Sequence, residues 1–128
     1  MNEKEFLDKI APLILHQCWC AYQMGAGQPY NVKPSVEQLK SLKDAIVTFK
    51  RSPNVTSEQM HENWMRFKLA DGWIYGLAKD ESQKMHPNLV PYKDLSNVEK
   101  NKDGMHLEAQ KFVAALYKML KSEVEEVK

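Results

Sequence analysis

The sequence predicts a mainly α fold: a compact bundle of about four helices, with short extended segments in a proline-bearing loop. Two observations carry that expectation. Apolar residues recur at helical spacing over four separate stretches. Capping-box patterns, Asn2 with Glu5, Ser35 with Gln38 and Ser96 with Glu99, stand at the heads of helical segments. A third feature sets the scale, since 128 residues at 43% hydrophobic and 27% charged make one ordinary soluble domain.

The first helix carries Phe6, Ile10, Leu13, Ile14, Cys18, Ala21 and Tyr22 on an apolar stripe. Pro12 removes a backbone donor, so the stripe is expected either to kink there or to start in earnest near Ala11. Gly25-Ala26-Gly27-Gln28-Pro29 ends it, and a polar loop runs to Pro34. The second helix starts at Ser35, buries Val36, Leu39, Leu42, Ile46 and Phe49, and stops at Ser52-Pro53. The third opens at Thr56 or Ser57, places Met60, Trp64 and Phe67 on one face, and ends at Gly72. Beyond it the helical period fails. Trp73-Ile74-Tyr75 and Leu89-Val90-Pro91-Tyr92 read as short extended pieces, and the Ser96 capping box opens a single helical turn. The last helix is expected from about Asp103, with Leu107, Ala109, Phe112, Val113, Leu116 and Leu120 inward and Glu123 to Lys128 fraying.

Composition excludes several functions. The longest apolar run, Ile10 to Leu15, is too short to cross a membrane, and the polar start is not a signal peptide, which places the chain in the cytoplasm. A net charge of +1 does not suit binding to a nucleic acid polymer. Cys18 and Cys20 are two apart, so on a helix their side chains turn to different faces and read as reduced thiols.

The chain also matches itself. An offset of 45 residues sets His16 on His61, Trp19 on Trp64, Tyr22 on Phe67, Gly27 on Gly72 and Tyr30 on Tyr75. Lys43-Asp44 likewise resembles Lys102-Asp103, the second half holding about fourteen extra residues that include the proline loop. A pseudo-twofold repeat within one domain, 1–128, follows as an expectation: a degenerate first half at about 1–52 and a motif-bearing second half at about 53–122.

The chemistry concentrates between residues 60 and 103, where aromatic rings stand among lysines and amides, the kit for a planar anionic ligand. The same rings would also serve as ordinary core. Catalytic motifs fail here. His61-Glu62 would need a second histidine at the position of Met65 to be a zinc-protease helix, and no phosphate-binding glycine loop or nucleophile elbow is present. His61 and His86 are expected to bond backbone or carboxylate groups of adjoining loops rather than a metal.

The strings His61-Glu62-Asn63-Trp64, Gly72-Trp73-Ile74-Tyr75-Gly76, Lys79-Asp80, Lys84-Met85-His86-Pro87-Asn88-Leu89-Val90-Pro91-Tyr92 and Glu99-Lys100-Asn101-Lys102-Asp103 resemble, in order and spacing, the ryanodine-receptor repeat or RyR domain. Residues 57 to about 120 carry the likeness, and the first fifty are similar to the weaker half of stand-alone bacterial and phage forms. The sequence departs at Ala45, where a glycine is common, and at Lys79, where many repeats have arginine. The resemblance implies a helical module without catalytic activity or cofactor. It implies a nucleotide or nucleotide-derived ligand held by Trp19, Trp64, Lys68, Lys79 and Asn101. Lysine at position 79 keeps the charge but lacks the arginine fork. A protein-interaction module, through a partner or a homodimer, is the alternative.

Overall fold

The computed structural model describes residues 1–127, with side chains to Glu123. Four long helices carry the fold: α1 (Ala11–Gly25), α2 (Val36–Arg51), α3 (Ser57–Ala70) and α4 (Asn97–Val127). Between α3 and α4, β1 (Ile74–Tyr75) pairs in parallel with β2 (Met85–His86). α1 packs chiefly on α4 and α2 chiefly on α3, while α1 also meets α2 and α3 meets α4. Exchanging α1 with α3 and α2 with α4 maps this pattern of contacts onto itself, as the expected internal repeat requires.

Pro12 acts through what precedes it. A helical turn, Glu3–Glu5, leads into a π-helical stretch, Phe6–Ile10, and the Ala11 N–H reaches back five residues to the Phe6 carbonyl. This lets the chain enter α1 with Pro12 in its first turn, where a missing N–H costs nothing. The wider turn also rotates the buried face. Phe6, Ala11 and Leu15 enter the core with Ile46, Ala109 and Val113, whereas Leu13, expected inside, is largely exposed.

The boxes at Ser35–Gln38 and Thr56–Gln59 close reciprocally. Three expectations are corrected. The turn at Ser96 and the final helix are one element, because the Ser96 hydroxyl caps Glu99 and no proline interrupts the path to Asp103. Of the two pieces read as extended, Ile74–Tyr75 is a strand, paired with Met85–His86, and Leu89–Tyr92 is not; Pro91 has no donor to give a ladder, and the Val90 carbonyl is taken by His61. Val36, Phe112 and Leu120 lie exposed rather than inward. The expected fraying of Glu123–Lys128 falls largely outside the described side chains.

The halves repeat one device. His16, 2% exposed, donates through Nε2 to the Asn31 carbonyl at 2.6 Å; His61, 3% exposed, donates through Nε2 to the Val90 carbonyl at 2.7 Å. The bonds span 15 and 29 residues, so the second loop is longer by the inserted segment. Each following helix end turns on a glycine of positive φ, Gly27 at 69° and Gly72 at 89°. The offset-45 match thus extends from sequence to paired histidine bonds and paired glycine stops.

Candidate functional site

A cleft of about 560 Å³ opens between the two halves, within the size range of small-molecule sites. α1 supplies His16, Trp19 and Gln23, α3 supplies His61, Trp64 and Lys68, and the loop between β1 and β2 adds Lys79. The two tryptophans are half-buried, and each leans on the histidine one turn before it: His16–Trp19 at 5.2 Å and His61–Trp64 at 5.6 Å between ring centroids. His86 meets Trp64 edge-on at 5.0 Å. As the sequence predicts, His86 bonds its own loop, its Nδ1 accepting from the Asn88 N–H at 3.0 Å. The proton of the neutral ring is therefore on Nε2.

Three lysines set the charge. Lys68 is 5% exposed, with its ammonium 4.2 Å from the centre of the Trp73 ring, and Lys79 places its ammonium 5.6 Å from the centre of Trp19. Among the described residues neither ammonium has a carboxylate within ion-pair range. Burial is the first cause that lowers both pKa values, against the opposing pull of Glu37 at Lys68 and of Glu81 at Lys79; Lys79 adds to the lowering at Lys68, and Lys102 at Lys79. Lys79 as a residue is exposed, and its ammonium faces the Trp19 ring at the cleft. Lys102 differs from these two, being paired with Glu99 at 3.0 Å and donating to Gln28 at 3.3 Å. Burial, then the nearby lysines, pushes His86 down to about 3, and burial with Lys102 pushes His106 down to about 4. Burial raises Asp103 to about 6 against the opposing pull of His61, whose Nδ1 lies 3.5 Å away.

Hydrogen-bonding capacity is left open in this cleft. Five buried side-chain polar atoms have no partner among the described residues, and four of them, Gln23 Oε1, Glu37 Oε2, Trp73 Nε1 and Asp103 Oδ2, belong to residues that line it. Each such atom costs about 1–3 kcal/mol when nothing bonds it, so unmet polar groups are concentrated in the walls of this cleft.

Four of the five residues expected at the site, Trp19, Trp64, Lys68 and Lys79, line this cleft. Asn101 does not. On α4 the cleft is lined by Glu99, Lys102, Asp103, His106 and Gln110, a single helical stripe, and Asn101 falls off that stripe into solvent. Lys102 takes the place expected of it. The carboxylate of Asp80, next to Lys79 in sequence, caps the turn at Ser82 and Gln83. Gln23 and His106 were legible only as members of a pattern, Gln23 as the offset-45 counterpart of Lys68 and His106 as part of the α4 polar stripe.

Comparison with known families gives one result. A model of the RyR domain matches residues 46–121, more than half of the chain, beginning inside α2 and covering Trp64, Lys68, Lys79 and the α4 stripe. With the His-x-x-Trp turn, the Gly72 stop and the proline loop anchored on His61 all inside that span, the chain belongs to the RyR-domain family.

Proposed function

We propose that this protein is a non-catalytic binding module for a nucleotide or nucleotide-derived small molecule, held in the cleft beside Trp19 and Trp64. One observation carries the reading: two ammonium groups without carboxylate partners, Lys68 and Lys79, share a cleft with two half-buried indole rings. A planar base gains from an indole face, and a phosphate gains from cations held out of water. Lys79 offers a point charge, so it recognises charge more than phosphate geometry. Binding rather than turnover is favoured because the histidines are tied into the walls, His16 and His61 to loop carbonyls and His86 to the Asn88 amide. The same reading takes the protein as a stand-alone cytoplasmic module of bacterial or phage type. No helix among the described residues is long and apolar enough to cross a membrane.

A thermal-shift screen against mono-, di- and cyclic nucleotides tests this directly. A ligand at 100 times its dissociation constant adds about 2.7 kcal/mol of apparent stability. A panel that leaves the melting temperature unmoved would defeat the proposal.

A second reading, as a protein-interaction module, is favoured by Phe112, which is 72% exposed beside a shallow groove between α1 and α4 lined by Ile14, Cys18 and Leu116. Sedimentation of wild type and Phe112→Ser separates self-association from a monomer.

A further inference from the structure

The repeat brings to the cleft one matched pair whose chemistry has diverged. One turn beyond each tryptophan, at the same offset of 45, stand Gln23 in α1 and Lys68 in α3. Both are 5% exposed, and both line the cleft. The Gln23 amide is fixed by its Nε2, which donates to the Pro29 carbonyl at 2.9 Å, and this leaves Oε1 buried without a donor. The Lys68 ammonium packs on Trp73 and has no acceptor among the described residues.

We infer that this divergence polarises the cleft: the Gln23 amide oxygen accepts from the donor-bearing, uncharged part of the ligand, and the Lys68 ammonium takes its anionic group. The inference rests on the nucleotide reading and goes further, because it fixes which end of the molecule faces which half. Two reasons support the assignment. A side chain at i+4 shares a helix face with the ring at i, so a base lying on Trp19 brings its edge toward Gln23, and a group beside Trp64 lies toward Lys68. An amide oxygen repels an anion, whereas an ammonium carries three donors and accepts nothing, so the two positions cannot exchange partners. The ligand class is a nucleoside phosphate whose base or sugar presents N–H or O–H groups to α1. Lys79 reaches the cleft from the loop between β1 and β2 with its ammonium 5.6 Å from the centre of Trp19, so charge is present beside both tryptophans and the direction rests on Gln23 and Lys68.

Ligand pairs differing only in the phosphate separate the two ends. Affinities of AMP, GMP, CMP and UMP, and of their four nucleosides, are measured for wild type, Lys68→Met and Gln23→Met. Methionine matches the length of glutamine and is one atom shorter than lysine, so both substitutions remove the polar head and keep most of the stem. Lys68→Met should weaken the tightest monophosphate at least tenfold and its nucleoside less than twofold. Gln23→Met should weaken both by the same factor, about tenfold. In wild type, carbon-13 NMR keeps the test independent of any variant's folding: the Gln23 side-chain carbonyl should shift with nucleoside and not with inorganic phosphate, and the Lys68 side chain should do the reverse. Equal losses for monophosphate and nucleoside in Lys68→Met, or a Gln23 carbonyl that ignores nucleoside, would overturn the polarity while leaving nucleotide binding intact. Failure of every nucleotide and nucleoside to bind wild type would overturn both readings together.

Discussion

Replacing His61 with alanine isolates the element on which the second half is built. The ring is 3% exposed, donates to the Val90 carbonyl at 2.7 Å, leans on Trp64 and stands 3.5 Å from Asp103. Its removal leaves the Val90 carbonyl without a donor, at about 1–3 kcal/mol. A cavity where the ring was adds to this, and aromatic-to-alanine changes in cores run to about 3–5 kcal/mol. A total of about 3–5 kcal/mol is expected, a large part of the roughly 5–15 kcal/mol that holds a domain folded. Because His16 is as buried and makes the same bond to Asn31, His16→Ala should fall in the same range. Urea unfolding followed by tryptophan fluorescence reads both, and with a slope of about 1–3 kcal/mol/M the midpoints should drop by more than about 1 M. A loss below about 1 kcal/mol at either position would show that its histidine does not anchor the loop, and a large loss at only one would refute the structural repeat.

Three further outcomes are expected. Lys79→Ala should weaken binding of a phosphorylated nucleotide by about 1–3 kcal/mol while moving stability by less than about 0.5 kcal/mol, since the residue is exposed; unchanged affinity by calorimetry would remove Lys79 from the site. Trp19→Leu and Trp64→Leu should each cost about 1–3 kcal/mol of nucleotide affinity; a folded double variant that binds normally would end the stacking role and bring the interaction reading forward. Acid should destabilise the fold. The folded pKa values of His86 and His106 lie below the unfolded value of roughly 6.5, so their contribution is complete above that pH and is lost as pH falls toward about 3 and 4, respectively. Asp103 opposes them, because ionising a group raised to about 6 destabilises the fold as pH climbs from about 4 to 6. Two groups outweigh one, and at about 1.36 kcal/mol per pH unit each histidine, stability should drop by about 2–3 kcal/mol between pH 7 and pH 5. Equal urea midpoints at the two values would contradict that balance.

Local chemistry was written in the sequence. A serine or threonine placed three residues before a glutamine caps a helix wherever the chain goes, and Gly27 and Gly72 stop their helices because they adopt positive φ without strain. The His-x-x-Trp turns were legible for the same reason: ring and histidine meet within one helical turn, whatever surrounds them. The repeat and the family could be read from these residues too, since both lie in the order and spacing of rare side chains.

Only the tertiary structure decided phase and pairing. Each residue turns a helix by about 100°, so a small change in winding moves a side chain between core and solvent. The π-helical stretch before Pro12 carried Leu13 out and Leu15 and His16 in, and one step along α4 separated Asn101 from the cleft that Lys102 enters. Which strand met Ile74–Tyr75 depended on which loop carbonyls the histidines had already taken. The unpartnered Oε1 of Gln23 belongs to this level as well, because a hydrogen bond left unmade is a property of everything that surrounds an atom and of no residue alone.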